Sequence, residues 1–190
     1  MAVRLREPYQ GLSREELLNR VYEFGAAYEI NSYSCSQCTV KAIHDVLDIP
    51  DALVKAATSN AAGTAWQLVG TCGGLVGGIM VLDYFFGRPP EHMSRTEVIQ
   101  DPNVADLFAS QPIARSLFNK YIEEYGTVTC ANIQFQIFGR LYYLQDMDEF
   151  GKMEAAGGHS DPKKAPRIVG TAARWVMETL LDKGAVELGK

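Results

Sequence analysis

The sequence has no long apolar run, no basic cluster, no sustained two-residue alternation and no long-period repeat. Its longest apolar stretch, 75–86, is broken by Gly77, Gly78 and Asp83. That is well short of the ~20 residues a membrane-spanning helix requires. The opening Met1 to Pro8 carries scattered charge and no apolar core, so it does not read as a secretory signal. A cytoplasmic location is therefore expected. Eighteen Lys and Arg against 23 Asp and Glu leave a net charge of −5, with an isoelectric point near 5.2. Without a basic face, nucleic acid and anionic membranes are not expected partners. Cysteines number four, Cys35, Cys38, Cys72 and Cys130, and in a reducing compartment they are expected as thiols rather than as a disulfide framework.

What is present is a succession of helix signals. Ser13 and Glu16 form a capping box, after which Leu17, Val21, Phe24 and Tyr28 fall on one helical face. Ser34 and Gln37 suggest a second box, opening a helix that stops before Pro50. A short helix is expected over 51–59, with 61–66 readable as helix or loop. Thr71 is placed to cap the run to Phe86, which Gly87, Pro89 and Pro90 end. Further helices are expected over 111–125, stopped by Gly126, and over 130–138 after Thr129. A last one starts around Pro166 and carries Ile168, Ala172, Trp175 and Thr179.

The expectation is an all-α, single-domain bundle of about six to seven helices with mostly antiparallel neighbours. It has an N-terminal arm over 1–12, a surface connection over 88–103 with one turn near Glu97, and a mobile loop over 151–164, rich in glycine and charge.

Three cysteines directly follow a hydroxyl residue at an expected helix start: Ser34-Cys35, Thr71-Cys72 and Thr129-Cys130. A cysteine in the first turn lies beside unpaired amides and the positive end of the helix dipole, which favours thiolate, both a nucleophile and a metal ligand. Cys38 lies one turn beyond Cys35. The bland alternative is that these are small buried apolar residues. Gly70, Gly73, Gly74, Gly77 and Gly78 suit either close approach to a cofactor or thiolate, or tight helix crossing. Several motifs are excluded. Cys35-Ser-Gln-Cys38 lacks the following histidine of a c-type haem site, Cys72 and Cys130 do not complete a zinc ribbon, and 70–78 lacks the lysine of a phosphate loop. His44 lies two turns from Cys38, whereas His92 and His159 fall in expected loops, where solvated histidine is the better reading.

These residues resemble the redox-active family named for its cysteine pattern, C_GCAxxG_C_C; split-Soret cytochromes carry a similar region. Cys35-Ser-Gln-Cys38 is similar to the family's first-cysteine helix. Gly70-Thr-Cys72-Gly-Gly-Leu-Val-Gly77 is similar to its glycine-rich middle segment, with Gly74 where alanine is usual. Tyr125-Gly-Thr-Val-Thr-Cys130 is similar to the third cysteine's setting, and 165–173 to the final helix. Where the family has its last cysteine this chain has Ala165, and it has Cys38 in addition.

The resemblance implies a redox or metal-thiolate protein. The expected site is an iron–sulfur cluster on Cys35, Cys38, Cys72 and Cys130, with Gly70, Thr71, Gly73 and Gly74 against the cofactor. A second reading is a thiol–disulfide oxidoreductase using Cys35 and Cys38, with Glu29 or His44 relaying protons. A third is a helical small-molecule-binding or homo-oligomeric assembly module, its aromatics (Tyr84, Phe85, Phe86, Phe135, Phe138, Tyr142 and Tyr143) lining a pocket or interface. The sequence names neither substrate nor redox partner.

Overall fold

A computed structural model describes residues 3–93 and 102–189. The described residues form eight α-helices: α1 (Arg14–Ser32), α2 (Cys35–Val46), α3 (Asp51–Ala56), α4 (Gly73–Phe86), α5 (Pro102–Tyr125), α6 (Cys130–Phe138), α7 (Met147–Ala155) and α8 (Ala165–Asp182). A two-stranded parallel sheet, β1 (Val3–Arg4) with β2 (Val186–Glu187), is the only sheet among them. The all-α class is as expected, with more helices than the six to seven foreseen. No helix among the described residues is long and apolar enough to cross a membrane.

α1 starts where the capping box places it. The Ser13 side chain accepts from the Glu16 amide, and the Glu16 carboxylate accepts from the Ser13 amide at 2.8 Å. Its buried stripe is Leu17, Leu18, Val21, Gly25 and Glu29, leaving Phe24 and Tyr28 half-buried. The helix packs along α8, and small residues permit the approach: a Cβ on Gly25 would stand 3.0 Å from the Val169 carbonyl and 3.3 Å from the Ala173 methyl. Arg14 meets Asp182 at one end, and Arg174 reaches Glu15 and Asn19, so the pair is antiparallel.

α4 occupies the centre, and its glycines are contact surfaces. Gly77 lies against the Ser36 backbone of α2, and a Cβ there would overlap the Ser36 carbonyl. Gly78 faces Leu117 of α5 and Val176 of α8. Of the two readings of this stretch, tight helix crossing accounts for Gly77 and Gly78. Around α4 the core is filled by Leu17, Ile43, Leu75, Leu82, Leu117, Tyr121, Met177 and Leu180. Each such side chain contributes roughly 1.5–3 kcal/mol by leaving water. A smaller cluster of Leu68, Tyr142, Leu144 and Met153, with Trp66, Phe138 and Phe150 against it, lies apart from this core.

Several expectations are corrected. Ser34 precedes α2 but closes no capping box, because its hydroxyl donates to the Thr58 carbonyl and Gln37 donates to the Thr58 hydroxyl. Cys72, not Thr71, is the N-cap of α4, while Thr71 bridges to Thr129. α5 begins at Pro102 and runs through Pro112, although a proline there favours a start near 111. The N-terminal segment packs onto the bundle, where Leu5 is buried and bridges to Leu47. Within 88–103, Pro90–His92 form a short 3-10 turn, and the turn expected at Glu97 lies outside the described residues.

The largest correction is 151–164. Its first half belongs to α7, which Asp146 caps by accepting from the Asp148 and Glu149 amides. Its second half is a hydrogen-bonded turn, Gly158 N–H to Met153 C=O and Asp161 N–H to Gly157 C=O, with Gly158 and His159 buried.

Candidate functional site: a cavity ringed by three cysteines

Cys35 opens α2, Cys72 caps α4 and Cys130 opens α6. All three line one cavity of about 90 Å³ between the main core and the smaller cluster, room for a few water molecules. Its walls are largely apolar: Trp66, Ile133, Phe138, Phe150 and Ile168 among them. The polar groups that break this lining are the three thiols, Glu29, His159, Gln134 and the Tyr33 side chain; among the described residues no lysine or arginine lines it. Ala165, the first residue of α8, lines it too.

The wall over Cys35 has an uncommon backbone. Ala62, Gly63, Thr64, Ala65 and Trp66 are consecutive residues with φ of 46, 72, 71, 50 and 62°, a left-handed turn that costs non-glycine residues roughly 1–2 kcal/mol each. It is held by amides reaching back unusually far, Leu68 N–H to Ala62 C=O at 2.9 Å and Gly70 N–H to Gly63 C=O at 3.0 Å. Gln145 adds a donation to the Ala65 carbonyl, and Trp66 stacks on Phe150 at 5.7 Å. The result aims the Ala62 N–H at the Cys35 sulfur, 3.4 Å away. Strain of this kind is retained where the surroundings over-determine it, often at functional sites.

Gly70, Thr71, Gly73 and Gly74, the expected cofactor contacts, do not line the cavity; each has another neighbour. Gly73 gives its missing side-chain space to the Cys35 sulfur, which a Cβ would overlap. Gly74 yields to the Tyr121 hydroxyl and Ala172, Gly70 packs on Gly63, and Thr71 is in its bridge. Cys38 does not line the cavity either. It is buried and borders a separate cavity with Tyr28, Gln37 and Lys41. Of the histidines, His44 pairs with Asp51 and His92 with Asp106.

Only His159 reaches the site. Its Nε2 lies 3.7 Å from Glu29 Oε1, its Nδ1 is hydrogen-bonded to Glu154, and its ring meets Tyr33 edge-on at 4.6 Å. A buried histidine in a glycine-rich, charged stretch leaves no local signal, because its burial comes from α7 and α1 closing around it.

The thiolates expected at helix starts are not favoured in the protein alone. Burial lifts Cys35 well above the ordinary thiol value, with the charges of Glu29, Cys72 and Cys130 adding and the Ala62 amide opposing. Burial raises Cys72 against the amides of Gly74 and Leu75. It pushes Cys130 up to about 12, with Cys72 and Glu29 adding. Cys38 is raised by the same cause. Desolvation outweighs the dipole here, and the first amides of α6 are already spent on the Gly70 and Leu68 carbonyls. Glu29 is raised to about 8, mainly by burial, with the Cys38 hydrogen bond opposing and Glu154 adding. Its Oε2 has no partner.

A family model described as "Putative redox-active protein (C_GCAxxG_C_C)" matches residues 33–179. The chain belongs to this family. No curated protein and no solved structure matches it. The family's pattern carries four cysteines, and the cavity brings together Cys35, Cys72, Cys130 and, where the resemblance places the last of the pattern, Ala165.

Among the described residues no three His, Cys, Asp or Glu side chains are grouped closely enough to hold one metal ion. Three soft sulfurs and one unpartnered carboxyl oxygen are donor types that would suit a thiophilic metal group larger than a single ion, with Cys35, Cys72, Cys130 and Glu29 as the residues that would hold it.

Proposed function

We propose that this redox-active family member carries an iron–sulfur cluster in the cavity, with Cys35, Cys72 and Cys130 as thiolate ligands. The observation that carries the reading is the convergence of three cysteines from helix starts far apart in sequence on one cavity that no lysine or arginine lines among the described residues. Left alone, these thiols stay protonated; iron supplies the positive charge that makes buried thiolates stable. A cluster bound there would supply one-electron transfer. The chain's own part is to exclude water with Trp66, Phe138 and Phe150 and to tune the sulfurs. The Ala62 N–H donates to Cys35 Sγ, and the Tyr121 hydroxyl lies 4.0 Å from Cys72 Sγ. Hydrogen bonds to ligand sulfur and exclusion of water both set a cluster's potential.

The test is anaerobic purification with iron and acid-labile sulfide analysis and a visible spectrum on one sample. Stoichiometric iron and sulfide, lost in Cys72→Ala and kept in Cys38→Ala, is the expected outcome. A folded wild-type protein that takes up neither iron nor sulfide on reconstitution overturns the reading. Thiol–disulfide exchange between Cys35 and Cys38 has less support, since Cys35 faces the cavity and Cys38 borders another, and burial suppresses both thiolates.

A further inference from the structure

Three thiolates leave one corner of a four-ligand site to be filled, and the helix pairing points to what fills it. α1 and α8 run antiparallel with Gly25 against Val169. One turn further along α1 is Glu29, and one turn back along α8 is Ala165, so the two stand opposite each other, and both line the cavity. Glu29 is 3% exposed. Its Oε1 is turned to His159 at 3.7 Å, while Oε2 is buried without a hydrogen-bond partner. A buried carboxyl oxygen left unpaired by the protein is costly, and native structures rarely leave one without a partner of some kind.

Resting on the cluster reading above, we propose that Glu29 is the fourth ligand, its Oε2 binding the iron that a thiolate at position 165 would otherwise bind. His159, itself fixed by Glu154, is a positioning residue that holds Oε1 to one side. The ligand class is thus mixed, three sulfurs and one oxygen, and an oxygen-bound iron is more readily exchanged than a thiolate-bound one.

The experiment loads the full chain anaerobically with ferrous iron and sulfide, and reads iron per chain, low-temperature EPR and Mössbauer spectra. Four proteins are compared: wild type, Glu29→Gln, Glu29→Cys, and Glu29→Gln combined with Ala165→Cys. Wild type is expected to hold about four irons with one iron spectroscopically distinct. Glu29→Gln is expected to lose about one iron and give a three-iron signal, and the thiol introduced by Ala165→Cys in the double variant to restore full loading. Glu29→Cys retains full loading but makes the irons equivalent, which keeps the test decisive should the glutamine variant fold poorly. Full loading and unchanged spectra in all Glu29 variants overturn this assignment and leave the three-cysteine reading intact. A wild-type chain that loads no iron overturns both.

Discussion

The main bundle and the smaller cluster beside it are built on opposite principles. In the bundle, α1, α2, α4 and α8 meet through glycine, alanine and leucine at distances that leave no room for a further methyl group. Beside it, the smaller cluster has only Leu68, Tyr142, Leu144 and Met153 as deeply buried members, and the turn 62–66 next to it holds non-glycine residues in the left-handed region. The cavity lies at the seam. The rigid side supplies Cys35, Cys72 and Glu29, and the strained side supplies Cys130, His159 and most of the aromatic wall. A site that must keep its ligands placed and yet admit a guest benefits from that division, since placement comes from dense packing and access from the less stable part.

Substitution at Gly77 gives the sharpest break. Gly77→Ala forces a Cβ into the Ser36 carbonyl, a backbone atom that cannot move alone; the expected cost is at least about 4 kcal/mol in urea unfolding, or failure to fold. Next is the pH dependence of the metal-free protein. Burial raises Glu29 from 4.5 to about 8, so the folded state holds that proton more tightly than the unfolded one. Its contribution is complete below about pH 4.5 and declines as the pH rises toward 8, by roughly 3 kcal/mol at pH 7. Unfolding of wild type and Glu29→Gln across that window should therefore diverge, and parallel curves would show that the carboxyl is not buried as described.

On the other side of the seam the effects are smaller. Trp66→Ala removes the stack on Phe150 and is expected to cost about 2 kcal/mol, with faster proteolysis around 61–71 and unchanged far-ultraviolet helicity. If helicity collapses as well, the two regions are not separable. Least of all is Gly151→Ala in α7, where a Cβ meets nothing within 4 Å. There the chain is expected to gain about 0.5–1 kcal/mol, read as a raised Tm.

How much of this is legible in sequence varies with the range of the interactions. The start of α1 is, because Ser13 and Glu16 satisfy each other within one turn. The starts at Cys35 and Cys130 are too, although the hydroxyls before them cap nothing through their side chains. The convergence of Cys35, Cys72 and Cys130 is suggested by the family resemblance, whereas the separation of Cys38 from them is not, because spacing within a helix does not say which side a neighbouring helix covers. His159 is hidden by its composition, and Glu29 reads in sequence only as a proton relay for the cysteine pair. Pro112 misplaces the start of α5 because proline suits a first helical turn better than an interior. The left-handed turn has no local signature: Ala62, Thr64, Ala65 and Trp66 are residues that avoid that conformation when left to themselves.

That last point bears on how the molecule closes. A stretch wound in the mirror-image sense is opposed at every step by its own residues, and it persists because Ser59, Gln145 and Phe150 grip it from outside. Its handedness is therefore dictated by distant parts of the chain, and so is the position of the Ala62 N–H that meets the Cys35 sulfur.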